Sequence, residues 1–169
     1  MQVDGLFSLI DRQAIAILKS FKFAEAGNKE AAALAKEQAD DLMAAGDIYI
    51  FECMTGKRKP YAVPSLRFHN HRQAEGKWAG KLSEMDEPKT IMECAGQLAL
   101  VHAQYWSLQT RIQTLKGMID RDKNTIDVGK LHEKFVSVQR EIDKKNQERS
   151  DLIALGDSLF LQCFHQEDA

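Results

Sequence analysis

The sequence predicts an all-α protein, an antiparallel helical bundle of two helical hairpins with a long C-terminal hairpin and an irregular basic connector between them. Three observations predict it. Apolar residues recur every three or four positions through each long segment, the period of a helix with one buried face. Three prolines and ten glycines in 169 residues leave room for long unbroken runs. The two longest periodic stretches flank one short polar break, Arg121–Asp127, as antiparallel arms do.

The first helix is expected over 5–26. Its inward face would be Leu6, Leu9 with Ile10, Gln13 or Ala14, Ile17 with Leu18, and Phe21. Asp4 is placed to cap its start and Gly27 to close its end. Asn28 then caps a second helix over 29–54, whose early alanines favour helix and allow close packing. Its apolar line runs Leu34 or Ala35, Leu42, Ala45, Ile48 or Tyr49, and Phe51. Gly46 is a candidate kink or early end. Ile48–Phe51 has strand propensity, but no second convincing strand is available to pair with it, so helix is the reading.

The third and fourth helices are expected over 88–121 and 127–164. Glu87-Pro88 suits a first turn, where the missing proline N–H costs nothing. Ile91, Ala95, Leu98, Val101 with His102, Tyr105, Leu108, Ile112, Leu115 and Ile119 make one face. The fourth helix answers with Leu131, Phe135, Val138, Ile142, Leu152, Ile153 with Leu155, and Leu159. Asp127 suits its N-cap, while Gly129 and Gly156 weaken it by roughly 1 kcal/mol each. Between Ile142 and Leu152 the stripe is interrupted by Asp143–Asp151, nine polar residues. Two readings fit. The expected one is a solvated region where the arm outruns its partner, since charge runs are ordinarily exposed. The other is a polar cluster inside the bundle, led by Lys145 or Asn146 and Arg149, that fixes register or holds an anion.

The connector, 55–87, differs from the rest. Through residue 81 it carries seven basic residues and one acid, +6 in a chain of −2. Lys57, Arg58, Lys59, Arg67 and Arg72 are the candidate anion ligands, with Tyr61, Phe68 and Trp78 interleaved. Lysine and arginine supply charge for phosphate or sulfate, arginine as a bidentate fork, and aromatic rings can stack on bases or sugars. Asn146 and Arg149 would join them if the long hairpin opens onto the same cavity. The competing reading is a basic strap that offsets acidic helices. Gly56-Lys57 is too little for a phosphate loop. The net charge of −2 argues against duplex nucleic acid as a partner.

Other chemistry is thinly signalled. His69-Asn70-His71 has the spacing of two ligands on one side of an extended segment, but basic neighbours disfavour a cation, so no metal site and no cofactor are expected. The carboxylate pairs Glu37/Asp40 and Glu148/Asp151 lack the upstream Glu-x-x-Glu pair that all-helical pyrophosphohydrolases place before theirs. Catalytic residues therefore cannot be named. Cys53, Cys94 and Cys163 form no metal-binding or disulfide pattern, which suggests reduced thiols and a cytoplasmic setting. No stretch reaches the roughly 18 apolar residues of a membrane span. A homodimer through exposed parts of the long hairpin is expected, because arms of this length with narrow apolar faces need covering.

Several of these residues carry a resemblance. Leu9-Ile10-Asp11-Arg12 with Ile15 and Ile17-Leu18-Lys19 resembles the opening helix of certain bacterial families of unknown function, which read Leu-(Ile/Val)-Asp-(Arg/Lys)-x-(Ser/Thr)-Ile-Leu-x-x-Lys. The likeness continues at Val101, Tyr105-Trp106 and Leu108, and again at Val138, Ile142, Asn146 and Arg149, similar to an Asn-x-x-Arg helix. Gly56-Lys57-Arg58 with Arg67-Phe68 is similar to a basic-aromatic stretch in a related family. The resemblance implies a helical fold and a sugar-phosphate setting, since such families often sit beside cell-surface polysaccharide genes. It implies no catalytic residues. The expected function is a non-enzymatic binding or protein-interaction module with a basic anion-binding segment, its ligand a phosphate-bearing small molecule or a glycan. The alternative is an enzyme or accessory factor acting on a phosphorylated or sugar-nucleotide substrate.

Overall fold

A computed structural model describes residues 5–62, 86–121 and 128–165. Four helices fill them: α1 Leu6–Glu25, α2 Lys29–Met54, α3 Ile91–Arg121 and α4 Val128–His165. No strand occurs among the described residues. α1 packs on α2 and α3 on α4, and α1 alone bridges the two hairpins at the level of the backbone.

The ends of the helices follow from local chemistry. α1 stops in a glycine-centred cap: Gly27 has φ +76, its N–H donates to Ala24 O at 3.0 Å, and Asn28 N–H donates to Phe23 O at 2.9 Å. Glycine adopts that left-handed backbone without a Cβ clash. Asn28 Oδ1 then accepts from Ala31 N–H at 3.1 Å and starts α2, as expected. α2 runs through Gly46 without a break and closes at Gly56, φ +70. α3 begins on a reciprocal box. Glu93 N–H donates to Thr90 Oγ1 at 3.1 Å, and Glu93 Oε2 accepts from the N–H groups of Lys89 and Thr90. Asp4 and Asp127, read as caps from the sequence, lie outside the described residues.

Two apolar clusters hold the molecule. The larger lies where the hairpins meet: Leu6, Phe7 and Leu9 of α1, Tyr49 and Cys53 of α2, Cys94, Leu98 and Val101 of α3, Leu152 and Phe160 of α4. The smaller lies along the rest of the long hairpin, around Ile112, Leu115, Val138 and Ile142, with Tyr105, Leu108, Leu131 and Phe135 packed against it. At 1.5 Å per residue α4 is about 57 Å long, so one core could not cover it.

The α3 face and the apolar positions of α4 match the expectation, but the faces of the first hairpin match only in part. Ile17 and Phe21 were read as inward, yet they are 40% and 64% exposed. α1 buries Leu6 and Leu9 as expected and adds Phe7, Asp11 and Ala16, because it packs on α2 and also on both α3 and α4. In α2, Ala35 and Tyr49 are buried, while their alternates Leu34 and Ile48 and the expected core residue Phe51 face outward. The small alanines Ala35 and Ala39 admit α1 closely; larger residues would hold the helices apart.

The polar stretch of α4 corrects the sequence reading most. Gln147 is 0% exposed and Glu148 1%, and Ser150 and Asp151 are also buried. The arm does not outrun its partner there. The second half of the polar run is inside the bundle, while Lys144 stays exposed.

Candidate functional site

The polar run matters because of what α1 and α3 bring to it. Asp11 stands on the same face of α1 as Phe7 and is buried. Its Oδ1 accepts from His102 Nε2 of α3 at 2.8 Å and from Arg149 Nε of α4 at 2.6 Å. Its Oδ2 accepts from a terminal nitrogen of Arg149. One carboxylate therefore ties three helices, with the arginine bound bidentate, the strongest geometry for this pair. Donation from Nε2 requires the imidazole proton on that nitrogen.

Electrostatics follow the geometry. Burial pushes the Asp11 carboxyl up, but hydrogen bonds and charge from Arg149, and the bond from His102, outweigh it and hold the group below its ordinary value. The hydrogen bond to Asp11 holds Arg149 above its ordinary value against the opposing effect of burial. Nearby, Lys145 Nζ donates to Glu148 Oε2 at 2.7 Å and Gln147 Nε2 to Asp151 Oδ1 at 3.0 Å.

A second carboxylate joins the hairpins one level away. Asp157 of α4, 1% exposed, accepts the Phe7 N–H at 2.8 Å. It thus caps the start of α1 from another helix, since Gly5 has no side chain to do so. Two glycines make this approach possible. A Cβ on Gly5 would overlap the Asp157 carboxylate, and one on Gly156 would overlap the Phe7 ring. Gly156, which on sequence grounds only weakens α4, is what lets α1 sit against it.

The candidate anion ligands divide among different places. Arg149 is bound to Asp11, and Asn146 is half-buried on the same helix. Lys57 holds its ammonium 5.7 Å above the centre of the Phe51 ring. Arg58 lies 5.1 Å over Tyr49 and 3.1 Å from Glu52. Lys59 is exposed. Arg67 and Arg72 lie outside the described residues, as do His69 and His71. Tyr49 packs on Phe160 at 6.0 Å between ring centres. Phe160 follows Arg149 by three turns of α4, about 16 Å along the axis. The structure therefore does not bring Arg58 and Arg149 together.

An open groove of about 380 Å³ runs between the start of α3 and the end of α4, bordered by Lys89, Met92, Leu159 and Cys163 among others. None of the candidate anion ligands borders it. The three cysteines are free thiols. Burial, then the charge of Asp157, pushes Cys94 up to about 12, and its Sγ donates to Leu152 O at 3.1 Å. No group of three or more metal-binding side chains occurs among the described residues, and no described helix is long and apolar enough to cross a membrane.

Sequence reasoning missed Asp11, Asp157 and the partnership of His102. A signal was present for the two carboxylates: an acid inside an otherwise apolar face. Asp11 interrupts Phe7, Ala14 and Leu18, and Asp157 interrupts Ile153, Phe160 and Phe164.

The fold and this junction define an all-α protein of two hairpins, locked by buried carboxylates. Comparison with protein-family models, with curated proteins and with solved structures finds no significant match for the chain.

Proposed function

We propose that the protein is a non-enzymatic binding or protein-interaction module with an anion-binding segment that begins at Lys57. The observation that carries this reading is the junction of two surfaces at the end of α2. Phe51 is 59% exposed and has the Lys57 ammonium above its ring, with Arg58 and Lys59 following. An apolar helix face there runs directly into a cluster of cations, an arrangement suited to a partner that is greasy along one edge and anionic at its end. The resemblance to bacterial helical families near polysaccharide genes belongs to the same proposal, as does a cytoplasmic setting for the three free thiols. The test is a thermal-shift screen against nucleotides, sugar nucleotides and sulfated glycans. A ligand of the native state raises the melting temperature, and replacing Lys57, Arg58 and Lys59 together by alanine should abolish the rise. No shift from any of these compounds would contradict an anion site.

One observation favours the alternative, an enzyme or accessory factor for a phosphorylated or sugar-nucleotide substrate. Asp11 and Arg149, from two separate motifs of the resemblance, meet in one bonded cluster with His102. A sugar nucleotide whose stabilising effect vanishes on Arg149→Ala but survives the connector substitutions would support that reading.

A further inference from the structure

α2 has a second apolar line on the side away from its core. Leu34, Glu37, Asp41, Ala44, Ile48 and Phe51 follow one another at three and four residues, and all are exposed. Leu34, Ile48 and Phe51 are 57–59% exposed. Such a seam is what a helix presents to another helix. α3 carries an outward line with the same repeat: Leu100, Gln104, Ser107, Arg111, Thr114 and Met118. Leu100 is 52% exposed and Met118 39%.

The two lines match when laid antiparallel. Leu34 precedes Asp41 by two turns, and Arg111 precedes Met118 by the same two turns. Setting Leu34 against Met118 therefore sets Asp41 against Arg111 and carries Phe51 to Leu100 at the other end. Apolar ends meet apolar ends, Ala44 faces Ser107, Ile48 faces Gln104, and the acids Glu37 and Asp41 surround the single arginine. The two faces belong to different hairpins of the same chain, so a contact in which each copy offers both would be reciprocal about a two-fold axis.

We propose that the outer face of α2 docks the outer face of α3 from a second copy of this chain, in antiparallel register centred on Asp41 and Arg111. This rests on the interaction-module reading above and names its partner. Leu34 and Phe51 are the anchors, and the charge pair sets register and orientation.

The test is sedimentation of the purified full chain at protein concentrations between about 1 and 200 µM, a range that resolves interfaces of ordinary size. The wild type should be dimeric at the upper end. Asp41→Arg and Arg111→Asp should each weaken association by about tenfold or more by opposing like charges. Both positions are exposed, so circular dichroism and melting of the dilute monomer should be unchanged. Mixing the two variants in equal amounts should restore the dimer, because each cross-contact then pairs an acid with an arginine. A wild type that stays monomeric overturns the proposal, and so does a dimer that neither substitution weakens or a mixture that does not recover. Those results leave the anion-binding test above untouched, so failure here and failure there are separable.

Discussion

The carboxylate of Asp11 is gripped by the guanidinium of Arg149, a residue 138 positions later in the chain. The contact joins the first hairpin to the second at a point where neither apolar cluster alone would fix their rotation. A bidentate charged pair has one good geometry, whereas leucines and phenylalanines tolerate several. The His102 bond adds a third helix to the same atom, so α1, α3 and α4 are registered together.

Removing the carboxylate should therefore be expensive. Asp11→Ala leaves Arg149 partly buried without its partner, and losing one member of such a pair costs about 3–5 kcal/mol. Arg149 is 34% exposed in its side chain, so solvent offsets part of this and about 3 kcal/mol is expected. Urea unfolding followed by circular dichroism would measure it.

Stability should depend on pH through the same group. Asp11 is depressed from its ordinary 3.8. Its contribution is thus fully present above that value and disappears as the pH falls through the lower folded-state value. The wild type should lose stability below about pH 4 more steeply than Asp11→Asn, which has no proton to gain there. Parallel acid limbs for the two proteins would contradict the assignment.

The cap supplied by Asp157 predicts a local effect. Asp157→Ala removes an acceptor from the first turn of α1 and should cost about 1–2 kcal/mol. Amide exchange at Phe7 should accelerate before exchange at Leu98, which lies in the same cluster but inside α3, away from the lost cap. Gly156→Ala should destabilise as well, by about 1–3 kcal/mol for overpacking against Phe7, although alanine is the better helix former.

The thiols should react at very different rates. Cys94 is fully buried and pushed up to about 12, so it should stay unmodified by a disulfide reagent in the folded protein. Cys163 is exposed and should react at once. Equal rates would show that the junction around Cys94 and Leu152 opens readily.

Much of this fold can be read from the chain. The boundary between α1 and α2 follows from Gly27 and Asn28, whose backbone and side-chain chemistry is local. The α3 and α4 faces follow from strict three-and-four spacing, because each of those helices has one main partner. α1 defeats the same rule because it packs on α2 and on both helices of the second hairpin. Its buried set, Leu6, Phe7, Leu9, Asp11 and Ala16, spreads around the helix, so a single-stripe template finds Leu6 and Leu9 but also selects the exposed Ile17 and Phe21. The site was legible only in halves. Arg149 stood out as a charge at an inward position of α4, but its partner lies in α1. Nothing local to Arg149 says that an acid will arrive from there, and charge runs without a buried partner do lie in water. The basic connector was visible from composition alone, yet composition cannot tell that Lys57 and Arg58 settle over Phe51 and Tyr49.

The most direct test of the account is a double-mutant cycle on Asp11 and Arg149. Unfolding free energies would be compared for Asp11→Ala, Arg149→Ala and the double variant. If the pair locks the two hairpins, the double variant should lose markedly less than the sum of the singles, with a coupling of about 1.5 kcal/mol or more. Additivity within about 0.5 kcal/mol would mean that the two residues act independently and that the pair does not lock the hairpins.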